Sequence, residues 1–408
     1  MNRIFGIALG ILAAVGGFVD IGDLVFNSAA GATFGFDLLW VVVVGVVGIV
    51  VYSEMCGRVA AVSGRAVFDA VRERLGFNVG LVALIGAQLV SFMTLAAEIG
   101  GIAVVLELLS GLSYGALLVL AVVGLFVVLW TMPFDWIERL FGYLGLCLLV
   151  FAVAAIKLHP DWGQVAHGFV PSVDTSNIWV WGFYVVGLLS AAMTPYEVYF
   201  YSSGAVEERW TPKDLGLNKA NAIIGYTLGG FLSFAIMIAA GAYLLPAQVE
   251  PATLGTTALV ANAPLGEIGL VLALVGMLFA IGGAAVDAAF SGAYNLAQFL
   301  GWEWGRYRTN AGAPRFTITW IVLLFGAFCV VVTGVDPVLV TEFSVIFSAV
   351  ALPLTYVPIL LVANDGAYMG EHRNGRLANT LGVVYLFVIL VVSVTAIPLL
   401  ILSDLGRG

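Results

Sequence analysis

Gly16-Gly17-Phe18-Val19-Asp20-Ile21-Gly22-Asp23 and Ser190-Ala191-Ala192-Met193-Thr194-Pro195-Tyr196-Glu197 interrupt two long apolar stretches with polar residues near mid-length. Glycine beside two acids, and proline beside a third, break an α-helix locally rather than continue it. Around them the chain is apolar almost throughout. Of 408 residues 62% are hydrophobic and 10% charged, whereas a soluble domain carries roughly 25% charged residues. Such a surface needs a bilayer as its solvent.

A helix crossing a membrane requires roughly 20 mainly apolar residues. Eleven stretches qualify, at about 4–31, 36–62, 79–109, 114–132, 138–157, 177–205, 217–245, 265–299, 316–333, 338–363 and 379–402; they are called spans 1 to 11 below. Long Ala, Val and Gly runs speak for helices against a β-barrel, whose strands would be short and alternating. The apolar character persists to the last residues, so the N-terminal run after Arg3 is not expected to be a cleaved signal peptide.

Basic residues orient the chain. With the N-terminus in the cytoplasm and eleven crossings, Arg3, Arg58, Arg65, Arg72, Arg74, Arg139, Arg209, Lys213, Lys219, Arg306, Arg308, Arg315, Arg373 and Arg376 fall inside. Only Lys157 and Arg407 of the 16 basic residues fall outside, as the positive-inside rule asks. The expectation is a multi-pass inner (plasma) membrane protein with its N-terminus cytoplasmic and its C-terminus outside.

The interrupted spans, 1 and 6, are five apart. An odd number of spans in each half gives the halves opposite topology, and matching interruptions in two such halves point to a central site. The expected fold is all-α and membrane-embedded, with two inverted five-helix repeats in one transmembrane domain over 1–408. Repeat one covers about 1–162, repeat two about 175–370, and an extra helix about 377–402.

Ionised carboxylates at membrane depth are costly and mark a partner, a cavity or an ion path. Asp20, Asp23 and Glu197 all lie in the interruptions. Brought together with the Thr194 hydroxyl and freed carbonyls, they make an all-oxygen set suited to a hard divalent cation. The competing reading is that these acids cap helix ends. Glu98 in span 3 and Asp287 in span 8 line a path or cap ends, Glu342 in span 10 likewise, and Glu107 sits near a span end. Glu54 and Arg58 have the spacing of a helix-face ion pair.

His159, His167 and His372 all fall in loops, leaving no histidine in a span for proton relay. Trp162, Trp179 and Trp181 around His167 read as an interfacial aromatic belt. Cys56, Cys147 and Cys329 are scattered and form neither a disulfide framework nor a zinc pattern. There is no nucleophile–base pair, metalloprotease helix or nucleotide loop, so no enzyme is indicated.

The stretch through Asp20 and Asp23 into Gly35-Phe36-Asp37-Leu38-Leu39-Trp40 resembles the first spans of the Nramp family of divalent-metal transporters. The resemblance continues in Ala97-Glu98-Ile99-Gly100, Leu108-Leu109, Lys157-Leu158-His159-Pro160-Asp161-Trp162, the Pro-centred break of span 6, Leu352-Pro353-Leu354 and Met369-Gly370. It implies the inverted-repeat fold and a metal site at the breaks, with the Ala191 carbonyl as a further ligand. It also departs from the family pattern. Asp20-Ile21-Gly22-Asp23 stands where the family has Asp-Pro-Gly-Asn, and Thr194-Pro195-Tyr196 where it has Met-Pro-His. Met193 is one residue off the motif and is expected to be rotated away.

These departures resemble the Nramp-related magnesium transporter branch. A hydroxyl replaces a soft thioether and carboxylates are gained, which favours a harder ion. Leu95 stands where proton-coupled members carry an acid, and Tyr196 and Tyr201 where they carry histidines. The resemblance thus implies uptake of Mg²⁺, and of Mn²⁺, by alternating access without proton coupling. Tyr196, with Glu98 and Asp287, would border the pathway. The alternatives are a proton-coupled Mn²⁺/Fe²⁺ member and an organic-solute carrier, the latter disfavoured because three acids repel an anionic group. Beyond the transported ion and the lipid bilayer, no cofactor, nucleic acid or obligate protein partner is implied.

Overall fold

A computed structural model describes residues 19–249 and 253–406. Every regular element among the described residues is helical, because a chain in hydrocarbon must satisfy its backbone polar groups internally. Ten helices are long and apolar enough to cross a bilayer: Leu39–Ser63, Phe77–Ser110, Tyr114–Thr131, Phe134–Lys157, Ile178–Glu207, Pro212–Ala247, Leu254–Leu300, Pro314–Val331, Pro337–Asn364 and Arg376–Leu402. They correspond to spans 2 to 11. Of span 1 the helix Ile21–Phe34 is described, while Gly16 to Phe18 lie outside the described residues.

Span 6 is two helices, Ile178–Ala192 and Pro195–Glu207, parted where the sequence interrupts it. Two features differ from the sequence expectation. The span 8 helix begins at Leu254, earlier than expected, and bends at Gly266, whose φ of 65° only glycine adopts readily. The loop after span 2 contains an amphipathic helix, Val67–Leu75, too short and charged to register as a span.

The packing is that of an inverted repeat. Exchanging spans 1–5 with 6–10 maps most helix pairs onto others that also pack. Span 1 lies on span 7 as span 6 lies on span 2; span 3 lies on span 10 as span 8 lies on span 5; spans 3 and 4 pair as 8 and 9 do. The 2–7 and 3–8 pairs map onto themselves. The exchange fails for span 9, which packs on span 3 far more closely than span 4 does on span 8.

Close backbone approach seats span 1. A Cβ at Gly31 would lie 2.4 Å from the Met237 carbonyl oxygen of span 7, so only a residue without a side chain lets these helices meet. At one end of the bundle the arginine-bearing loops are knitted together. Arg58 pairs with Glu54 through Nε at 3.0 Å and Nη2 at 3.1 Å, and donates to the Asn374 side chain at 2.6 Å and the His372 carbonyl at 2.7 Å. Arg74 pairs with Asp365, and Tyr307 donates to Asp135 at 3.0 Å. At the opposite end the Trp40 backbone amide donates to the Gly168 carbonyl at 3.0 Å.

Asp69, half-buried in the Val67–Leu75 helix, has its pKa pushed up to about 6 by burial, against the pull of Arg72 and Arg65. The folded state therefore holds this proton more tightly than the unfolded chain. The contribution of Asp69 to stability is fully present below about pH 4 and is lost as pH rises through about 6, about 2 kcal/mol after allowance for screening. Asp69→Asn is expected to remove that slope, read as melting temperature in detergent between pH 4.5 and 7.5. An unchanged slope would mean that other groups set it.

Candidate functional site

The site is built where span 6 breaks and where the described helix of span 1 starts. Pro195 has no N–H to give to the Ala191 carbonyl four residues earlier, so the first half of span 6 ends at Ala192. Thr194 is extended and Pro195 opens the second half, a position where its fixed φ suits a helix start. In span 1, Asp20 is extended with φ −92° and ψ −177° and caps the helix: its Oδ1 accepts from the Asp23 amide at 2.9 Å.

Around these ends the acids are buried: Asp20 3% exposed, Asp23 2%, Glu98 0% and Glu197 6%. Asp20 Oδ2 faces the Tyr196 hydroxyl of span 6 at 3.4 Å. Asp23 Oδ1 accepts from Asn27 at 3.0 Å and from Ser233 of span 7 at 3.1 Å. Glu98 Oε1 accepts the Ile21 amide at 3.2 Å, tying span 3 to the start of the span 1 helix. Glu197 Oε1 accepts from Thr194 at 2.8 Å. Asp23 Oδ2 and Glu98 Oε2 have no hydrogen-bonding partner in the protein.

Spans 8 and 10 complete the surroundings. Ser291 donates to the Tyr196 carbonyl at 3.0 Å, and Tyr356 to the Met193 carbonyl at 2.9 Å. A Cβ on Gly48 of span 2 would lie 2.6 Å from the Met193 sulfur, so this thioether packs against span 2. Ala191 is 1% exposed. Asp287 is half-buried, four residues before Ser291 on span 8.

The sequence-derived residues thus meet in part. Asp20 reaches Tyr196, Glu98 reaches the first amide of the span 1 helix, and Thr194 reaches Glu197. Asp20, Asp23 and Glu197 do not converge into one cage: among the described residues no three His, Cys, Asp or Glu side chains are placed to hold an ion. Each carboxylate is instead held by hydroxyl or amide donors, which is how like charges remain apart in a low dielectric. Asn27, Ser233, Ser291 and Tyr356 were missed by sequence reasoning. Asn27 was findable, since it lies one helical turn after Asp23; the others are single polar residues in apolar helices and carry no local signal.

A span 6 broken beside the start of the span 1 helix, between two interlocked inverted repeats, is an arrangement found in membrane transporters. A family model described as natural resistance-associated macrophage protein-like matches residues 10–398, and the chain belongs to this family, Nramp. It is 28% identical over 385 residues to a divalent metal cation transporter of Agrobacterium fabrum, covering 90% of this chain and 80% of that one. It is similar in fold to a manganese transporter of Eremococcus coleocola solved with an aromatic bis-isothiourea compound (TM-score 0.76, 21% identity, 98% of this chain and 87% of that one). A nucleobase-cation-symport-1 family transporter in a closed conformation is more distant, at TM-score 0.62 and 15% identity over 98% of this chain and 92% of that one.

Proposed function

We propose that this Nramp-family protein, a secondary transporter of divalent metal ions, moves both Mn²⁺ and Mg²⁺ by alternating access at the breaks of spans 1 and 6. Likeness to relatives named as a divalent metal cation transporter and manganese transporters favours Mn²⁺. The side chains at the break add Mg²⁺. The single observation that carries this is the all-oxygen lining, with the Met193 sulfur turned onto span 2 and Thr194 bonded to Glu197. Oxygen donors without sulfur suit hard ions, and Mg²⁺ keeps several of its waters in such sites.

In this reading Asp20, Asp23 and Glu197 are ligands directly or through water, joined by Thr194 and the Ala191 carbonyl. Glu98, Tyr196 and Asp287 border the pathway. Span 1 crosses as a broken helix, making eleven crossings, with repeats over about 1–162 and 175–370 and an added helix at about 377–402. The arginine-rich end faces the cytoplasm, the N-terminus is inside and the C-terminus outside an inner (plasma) membrane. The membrane potential then draws the cation in, at about 2.3 kcal/mol per charge per 100 mV.

Coupling has two readings. Glu98 Oε1 is engaged by the Ile21 amide, and no histidine stands in a span, which favours uncoupled flux. Family likeness favours cotransport of protons with Mn²⁺. Purified protein in liposomes, with an internal metal dye and a pH dye under an imposed potential, separates them. Saturable influx of both ions without internal acidification is expected. Mn²⁺ entry with acidification and no Mg²⁺ entry would make the protein a proton-coupled manganese transporter. Thr194→Met, which restores a thioether at the break, is expected to raise the Mn²⁺-to-Mg²⁺ influx ratio by about tenfold. An unchanged ratio would remove the break from ion selection.

A further inference from the structure

Below the break, towards the arginine-rich end, spans 3, 6 and 8 share a polar seam inside an otherwise apolar bundle. Span 8 contributes Asp287, Ser291, Asn295 and Gln298, whose spacing keeps them on one helix face. Span 3 contributes Gln88, Ser91 and Glu98, also on one face. Gln88 Nε2 donates to the Gly292 carbonyl at 2.8 Å, and a Cβ at Gly292 would lie 3.0 Å from Gln88 Oε1 and 3.4 Å from the Ser91 Cβ, so the two faces meet. Span 6 closes the seam: Ser291 reaches the Tyr196 carbonyl at 3.0 Å, and Gln298 Nε2 reaches Ser203 at 2.8 Å.

Asn295 lies midway between these two ties and uses neither. Its side chain is 0% exposed, yet neither Nδ2 nor Oδ1 has a protein partner. Ser91 Oγ and Gln88 Oε1 are unpartnered in the same seam, and Glu98 Oε2 is unpartnered at the break, where its Oε1 holds the Ile21 amide. Polar side chains between membrane helices ordinarily pair across the interface, and a fully buried amide with both ends unmade is among the costlier arrangements a core can hold. Several such atoms along one seam suit water, which donates and accepts. They also suit a cation that keeps its waters, since metal-bound waters present their hydrogens outward to acceptors.

We propose that Asn295 is a buried hydration site, and that the seam between spans 3, 6 and 8 is a wetted route by which a hydrated divalent cation leaves the break for the arginine-rich end. The cargo and the direction rest on the function proposed above; the wetting does not.

The test uses full-length protein in liposomes with Cys56, Cys147 and Cys329 replaced by serine. Asn295→Cys is exposed to a membrane-impermeant, positively charged methanethiosulfonate, with Ala293→Cys, equally buried but on the opposite face of the helix, as the control. Asn295→Cys is expected to react at least tenfold faster than Ala293→Cys, from the arginine-rich side only, and to be slowed by saturating Mn²⁺ or Mg²⁺. No reaction from either side in monodisperse protein would overturn the proposal, as would reaction that neither metal slows. Should Asn295→Cys not fold, Ser291→Cys and Gln298→Cys read the same seam under the same criteria. Metal-protected labelling without metal flux would defeat the transport reading and leave the seam standing.

Discussion

Asp20→Ala is expected to reduce Mn²⁺ and Mg²⁺ influx into liposomes by about 100-fold or more. Even partners that only orient a metal ligand are worth about 10–100-fold in metal affinity or activity when removed, and Asp20 is proposed as a ligand itself. Its carboxylate also caps the span 1 helix through the Asp23 amide and meets the Tyr196 hydroxyl across the break. Loss of a cap alone costs about 1 kcal/mol, a stability effect rather than a loss of flux. Asp20→Asn separates the two roles, because asparagine caps a helix as well as aspartate but carries no charge. The expected result is a melting temperature near that of the unchanged protein together with flux as low as in Asp20→Ala. Normal flux in Asp20→Asn would reduce Asp20 to a cap.

Arg306→Met is expected to be the most destabilising single change in the loops, at about 3–5 kcal/mol. The Arg306 side chain is 3% exposed and joins three segments. It donates to Glu208 at 3.1 Å, lies 3.6 Å from Glu207, and stacks 3.9 Å from the Phe134 ring centroid. Burial would draw its pKa down, but Tyr294 and Glu138 among its neighbours hold it above the ordinary arginine value. Methionine fills much of the volume but leaves Glu207, 9% exposed, without its cation, and an uncompensated buried charge is what makes such a removal costly. Thermal melts in detergent should show the loss, and adding Glu207→Gln should return a part of it. Additive losses in that double-mutant cycle would mean that the pair is not coupled.

The candidate site was legible in some residues and hidden in others. Asp20, Asp23, Glu98, Thr194 and Glu197 could be picked out because a carboxylate or proline in a run of Ala, Val and Leu violates the composition around it. That Glu98 holds the Ile21 amide could not be read, since 77 residues separate the partners. Nor could the hydroxyls of Ser233, Ser291 and Tyr356, which look like ordinary members of apolar helices until another helix faces them. The separation of the carboxylates was equally hidden: Asp23 Oδ1 is held by Asn27 and Ser233, and Glu197 Oε1 by Thr194.

Composition and spacing alone established a helical membrane chain, the spacing of its interruptions and the gathering of its arginines at one end. Each of these follows from local physics: apolar length against bilayer thickness, proline and glycine against helix continuity, and positive charge against translocation. The tertiary structure decided which helices interlock, that Gly31 lets span 1 lie against span 7, that Met193 turns its sulfur to span 2, and that Asn295 is buried without a partner. Those outcomes depend on side chains from helices far apart in sequence competing for the same small volume. No local pattern records who wins that competition.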